Sequence, residues 1–219
     1  MAIVMEQQGN LPKSLELGFK ALQLAEEHDL ENLSGPALDA IGEAYITLKD
    51  YAKAISYLRR YILNGENGSN DEGLAYAYFD MGAAFAGLNA LDSAIFYEQK
   101  SIETFAKYNY EEPLVYQVLG DIKMKSGNLA EALSYYQRSL ALSLNKNEPR
   151  ALSFAFNKIA SFYKEINKPD SAIYYASKGL EESKKINQKR TILDASALLS
   201  QLYEAKDARV SLQYLKMAD

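Results

Sequence analysis

One seven-residue pattern recurs six times along the chain. It reads Gly9-Asn-Leu-Pro-Lys-Ser-Leu15, Lys49-Asp-Tyr-Ala-Lys-Ala-Ile55, Asn89-Ala-Leu-Asp-Ser-Ala-Ile95, Gly127-Asn-Leu-Ala-Glu-Ala-Leu133, Asn167-Lys-Pro-Asp-Ser-Ala-Ile173 and Lys206-Asp-Ala-Arg-Val-Ser-Leu212. Successive copies start 40, 40, 38, 40 and 39 residues apart. A period of this length marks a stacked repeat architecture, in which each unit buries its apolar face only against its neighbours. The period decides the fold before any single motif does. It also moves the expectation for function from a reactive site to a surface.

Each unit reads as two helices. Seven positions before the loop residue stand Ala2, Gly42, Gly82, Gly120 and Ala160, and six before it in the last copy stands Ser200. Small side chains there let one helix approach its neighbour closely. An apolar residue precedes each, and three positions later come Met5, Tyr45, Phe85, Lys123, Tyr163 and Tyr203, mostly rings. These spacings make one buried helical stripe. After the loop, Ser14, Ala54, Ala94, Ala132, Ala172 and Ser211 again supply a small residue, each followed by Leu or Ile. A second helix, antiparallel to the first across a tight turn, follows from that pattern.

The spacing predicts a lone helix near 11–28, then pairs at 36–48 with 51–63, 73–88 with 91–108, and 113–126 with 129–145. Further pairs are expected at 150–166 with 169–186 and at 190–205 with 207–218. Pro12 and Pro169 fall in first turns, where a missing N–H costs nothing. Asn64-Gly-Glu-Asn-Gly-Ser-Asn-Asp71 reads as the longest loop and the most protease-sensitive spot.

Small residue, ring, short loop and second small residue together resemble the tetratricopeptide repeat, over essentially the whole chain. The resemblance implies an all-α fold, a right-handed α-solenoid of antiparallel helix pairs. Two departures stand out: a period near 40 instead of roughly 34, and no Trp at the fourth position of the first helix. Leu38, Tyr78, Tyr116, Phe156 and Ser196 stand there instead. The expected organisation is a single solenoid over 1–219, with a half repeat at 1–33 and full repeats at about 34–72, 73–111, 112–148, 149–188 and 189–219. Because the first copy begins at its small position and the last ends on Leu212, Leu215 and Met217, an excised domain of a longer protein is expected. Self-association through uncapped terminal repeats would follow.

Composition narrows the function classes. A net charge of −5 argues mildly against nucleic acid, since phosphate binding needs a concentrated basic surface. No run of apolar residues is long enough to span a membrane. Cysteine is absent, which removes disulfide and thiolate chemistry and fits either periplasm or cytoplasm. The single histidine, His28, lies at a helix end with no nucleophile or metal partner in prospect. Gly65 and Gly68 lack the Lys-Ser/Thr of a phosphate loop. No catalytic, cofactor or metal residue is therefore assigned, and the segment reads as non-enzymatic.

The resemblance also implies where a partner would lie. The groove-lining rows of the first helices map to Asp39 and Glu43; Tyr76, Phe79, Asp80 and Ala83; Gln117 and Asp121; and Asn157 and Lys164. Carboxylates beside rings suit a basic or amphipathic protein or peptide segment. Ala83, Ala86 and Gly87 are small enough to leave a pocket. Tyr76 and Phe79 either face a ligand or pack on the neighbouring helix, and the sequence leaves both open. Capture of a C-terminal carboxylate, known in chaperone-binding relatives, is not expected, because Asp39, Glu43, Asp80, Leu114 and Val118 stand at the clamp positions.

The stretches Lys168–Asn187, Leu198–Asp207 and Tyr214–Ala218 resemble in style the repeat region of bacterial two-component sensor histidine kinases. That resemblance implies a periplasmic sensory domain. A cytoplasmic peptide-regulated repeat protein and an assembly scaffold are the alternatives.

Overall fold

The computed structural model describes residues 11–28, 30, 34–66 and 71–218. Among these the chain forms helices alone: α1 Leu11–Glu27, α2 Gly35–Thr47, α3 Tyr51–Glu66, α4 Asp71–Gly87, α5 Leu91–Ala106, α6 Pro113–Lys125, α7 Leu129–Lys146, α8 Pro149–Glu165, α9 Pro169–Lys185, α10 Lys189–Tyr203 and α11 Ala208–Ala218. The all-α antiparallel helix-pair architecture is as expected from the periodicity. The positions Met1, Ala2, Met5 and Gly9 of the first copy lie outside the described residues.

Four of the five described tight turns share one backbone solution. The first residue of the heptapeptide takes a left-handed conformation in four copies, with φ of 61° at Lys49, 60° at Asn89, 75° at Gly127 and 56° at Asn167. Turns between repeats use the same device at Asn109, Asn147 and Asn187. Gly and Asn tolerate this region, and other side chains crowd the following carbonyl. The reversal lets this residue's amide and the next one bond back into the finished helix. At Asn89 these bonds run from its N–H to the Ala86 carbonyl at 3.1 Å and from the Ala90 N–H to the Phe85 carbonyl at 2.9 Å. This is a Schellman cap, and it satisfies carbonyls the helix end would otherwise orphan.

Within a pair, the helices interlock by size. The small residue of the first helix faces the side chain four places after the small residue of the second. A Cβ added to Gly42 would lie 2.7 Å from Leu58, one on Gly82 2.4 Å from Glu98, and one on Gly120 2.4 Å from the Tyr136 ring. Where the first helix carries Ala160, the second carries Ala176, and both are fully buried. Glycine thus makes room for a long side chain that alanine could not admit. Next to this contact a ring pair recurs: Tyr45 on Tyr57, Phe85 on Tyr97, Tyr163 on Tyr175 and Tyr203 on Tyr214, with centroids 5.7, 5.4, 5.4 and 5.8 Å apart and rings within 21° of parallel. The third pair breaks the series. There Lys123 replaces the ring and forms an ion pair with Glu131 at 2.6 Å.

The helices cluster into two units that divide within α6, one ending at Val118 and one starting at Leu119. In the first, Leu38, Ile41, Leu58 and Met81 are buried to 1% exposure or less and anchor a continuous core. In the second, Tyr136, Ile159 and Phe162 make one cluster, and Leu180, Ala195 and Leu199 another. Helix α11 packs on α10 but buries no residue fully, and Leu212 and Leu215 stay about half exposed.

One expectation needs correction. The segment 64–71 is not a loop throughout: α3 continues to Glu66 and α4 begins at Asp71, while 67–70 lie outside the described residues. Tertiary contacts hold the extra turn against its Asn and Gly content. Asn64 donates to the Ser34 hydroxyl at 3.3 Å, and a Cβ on Gly65 would fall 2.6 Å from Leu74.

Candidate binding surface

In the first unit, α2 and α4 pack directly on each other, so their side chains form neighbouring rows. Asp39 and Glu43 sit one turn apart on α2, both half-buried. The Asp39 Oδ1 is buried with no hydrogen-bond partner. Burial, and secondarily the Glu43 carboxylate, push the Asp39 carboxyl up to about 7. Tyr61 of α3, also near Asp39, is pushed up to about 12, first by burial and then by that charge.

On α4, Phe79, Asp80 and Ala83 are half-buried and Tyr76 is exposed. Tyr76 serves both alternatives left open by the sequence. Its ring stands edge-on to Phe105 at 4.9 Å, and its hydroxyl donates to Glu112 at 3.5 Å, yet 38% of the residue remains exposed. Gln117 of α6 is only 4% exposed. The expected space beside Ala86 and Gly87 is filled. Ala86 is buried, and the Tyr51 ring lies over Gly87, where a Cβ would meet it at 2.4 Å.

In the second unit the predicted residues are engaged with neighbouring repeats. Asp121 accepts a hydrogen bond from the Tyr136 hydroxyl at 2.8 Å and pairs with Lys158 one repeat on. Lys164 donates to Gln201 at 2.5 Å, again across a repeat boundary. The Asn157 amide reaches the Thr191 carbonyl at 3.5 Å, while its Oδ1 lies unpartnered against the backbone of Gly179. These rungs tie successive first helices together and leave the row less open to a ligand.

One residue escaped the sequence reading. Glu98 of α5 is fully buried, and neither carboxylate oxygen has a hydrogen-bond partner. Burial first, and then the Asp80 carboxylate, raise its pKa well above the ordinary range. Register could have exposed it. Glu98 occupies the position that Leu58, Tyr136 and Ala176 hold in other copies, so a charged residue there breaks an apolar row.

Among the described residues, no three His, Asp or Glu side chains are grouped to hold a metal ion, and no helix is long and apolar enough to cross a membrane. His28 is exposed.

The fold and its paired, glycine-notched helices define a tetratricopeptide-like α-solenoid. Residues 36–63 and 114–146 match the tetratricopeptide repeat family. Among curated proteins, the chain is 24% identical over 197 residues to the 43 kDa receptor-associated protein of the synapse from Tetronarce californica, covering 87% of this chain and 48% of that protein. It is 26% identical over 173 residues to kinesin light chain-related protein 2 of Arabidopsis thaliana, covering 76% of this chain and 25% of that protein. The chain therefore spans about half or less of these relatives.

Among solved structures, a Rap protein complexed with competence and sporulation factor superposes with a TM-score of 0.84 at 14% identity, over 99% of this chain and 61% of that one. A signal-transduction ATPase of Pyrococcus horikoshii with a tetratricopeptide repeat sensor gives a TM-score of 0.69 at 23% identity, over 98% of this chain and 33% of that one.

Proposed function

We propose that this chain is a non-catalytic protein- or peptide-binding repeat domain, the interaction or sensory module of a signal-transduction protein. The observation that carries the proposal is the α2–α4 surface of the first unit. There a buried Asp39 oxygen has no partner, and Glu43, Asp80, Phe79 and the exposed Tyr76 surround the two rows. With one Asp39 oxygen lacking a donor, and with the Glu43 and Asp80 carboxyls, the two rows carry acidity that a cationic group of a partner offsets. A basic residue flanked by apolar ones would meet both the charge and the rings. The reading therefore places Asp39, Glu43, Tyr76, Phe79, Asp80 and Ala83 at the surface and gives Asp121, Asn157 and Lys164 a structural share.

A peptide-regulated repeat protein is favoured over a sensor of the two-component type. The supporting observation is the likeness in fold to a Rap protein bound to competence and sporulation factor. The tetratricopeptide sensor of the Pyrococcus horikoshii ATPase supports the broader signalling role.

Selection from a random peptide phage library tests the reading. Basic, ring- or aliphatic-containing peptides should emerge. The pair Glu43→Lys and Asp80→Lys should weaken them about tenfold or more while the helical circular dichroism is retained. Selected peptides without a basic residue, or unchanged affinity in the folded variant, would refute the groove assignment.

A further inference from the structure

The opposite side of α4 carries a second, differently charged feature. Helices advance about 100° per residue, so Tyr78 and Met81 point roughly away from the Tyr76–Phe79–Ala83 row. They floor a cavity of about 300 Å³ between α3 and α5. Met81 is 1% and Tyr78 8% exposed, whereas the rim residues Leu63 and Phe96 are 56% and 52% exposed. Two cations, Arg59 of α3 and Lys100 of α5, complete the lining. Both are exposed, and no ion pair to either is found among the described residues, although the chain carries a net charge of −5.

An apolar floor with two large apolar residues left open at the rim is the form of an anchor pocket. Its volume sits at the low end for ligand sites, which suits one or two side chains instead of a whole organic ligand. Two like charges at one cavity repel each other until an anion neutralises them. We infer that this cavity between α3 and α5 is a second docking site, for an acidic peptide segment of a partner that inserts an aromatic or aliphatic side chain between Arg59 and Lys100.

The site selects against the basic segment proposed for the α2–α4 surface, because its charge is opposite. The two sites thus face different partners, or different stretches of one partner, on the two sides of α4. This inference goes beyond the groove reading and does not depend on it.

The probe is a fluorophore-labelled, end-blocked peptide Asp-Glu-Phe-Leu-Glu-Asp, read by fluorescence anisotropy against the uncharged Asn-Gln-Phe-Leu-Gln-Asn. The acidic peptide should bind saturably at sub-millimolar concentration and weaken as ionic strength rises. Arg59→Glu with Lys100→Glu should lower its affinity about tenfold or more. The milder Arg59→Gln with Lys100→Gln should lower it in the same direction, and Phe96→Ser should weaken it by removing the anchor contact. Glu43→Lys with Asp80→Lys, which adds positive charge, should not lower it. Absence of saturable binding, equal binding of the uncharged peptide, or full affinity in the folded Arg59/Lys100 variants would overturn the proposal. Loss of acidic-peptide binding in the Glu43/Asp80 variant would overturn it too, by placing the peptide on the other face.

Discussion

At the scale of single residues, the backbone sign at the turns explains a composition that looks arbitrary in the linear sequence. In four described copies the first place of the heptapeptide is left-handed, and of its occupants there only Lys49, with φ at 61°, is neither Gly nor Asn; Lys206 of the last copy does not take a positive φ. A β-carbon in this region costs about 1–2 kcal/mol, and glycine returns part of that through its greater unfolded-state entropy. Lys49→Gly should therefore stabilise the chain by about 0.5–1 kcal/mol, with Lys49→Asn close behind. Chemical denaturation compared with wild type checks this. A loss of stability would mean that the Lys49 side chain holds a contact worth more than the strain. The sequence made the position visible as a loop through its Gly and Asn content. Its handedness was not visible, because Lys carries no such preference, and only the backbone settles the sign. Glu98 was illegible for the converse reason: a helical Glu normally faces water, and only the alignment of copies marks its row as apolar.

At the scale of the helix pair, glycine and the residue facing it form a matched set, so their effects should not add. Gly82→Ala puts a Cβ against the Glu98 carboxyl and should cost about 1–3 kcal/mol as overpacking. Glu98→Ala alone has opposing parts, since it removes an unpartnered buried carboxyl and leaves a space. The double variant recreates the Ala160–Ala176 combination already present in a later repeat. It should be more stable than the sum of the single changes predicts by about 1 kcal/mol or more. Urea midpoints of the four species measure the coupling, and additivity would show that the two residues do not compete for one space.

Helix positions and the small-residue rows were legible because period and side-chain size are written directly in the sequence. The ring partners Tyr57, Tyr97, Tyr175 and Tyr214 were half legible. Their periodicity is in the chain, but which ring stacks on which follows from the angle between helices. The engagement of Asp121 by Tyr136 and Lys158 lay beyond reach, since it joins residues of three helices. The extra turn at Asn64–Glu66 was masked by loop-like composition that tertiary contacts overrule.

At the scale of the whole molecule, neighbour-only contacts allow regions of a repeat chain to open separately, so pH should act locally. Among the described residues, Asp39 and Glu98 are the carboxyls with a buried, unpartnered oxygen, and both lie in the first unit. Glu43 and Tyr61 face Asp39, and Asp80 faces Glu98, and among the described residues no cation offsets either rise. In the second unit Asp194 is also raised by burial, but Arg190 and Lys158 oppose it.

A carboxyl whose folded pKa exceeds its unfolded value holds more protons folded than unfolded between the two. Stability is therefore greatest below the unfolded value and falls as pH rises through the folded one. For Asp39 that window runs from its ordinary 3.8 to about 7, and for Glu98 it begins at 4.5 and extends upward. Native-state hydrogen exchange, corrected for intrinsic rates, should show α2–α5 losing about 1–2 kcal/mol of opening free energy between mildly acidic and neutral pH, with α8–α10 changing less. Glu98→Gln should remove part of that loss, because the amide carries no charge to bury. An equal pH response in both units, or an unchanged response in the Gln variant, would mean that these carboxyls gain a donor in solution and that the first unit's acidity is not stored in its core.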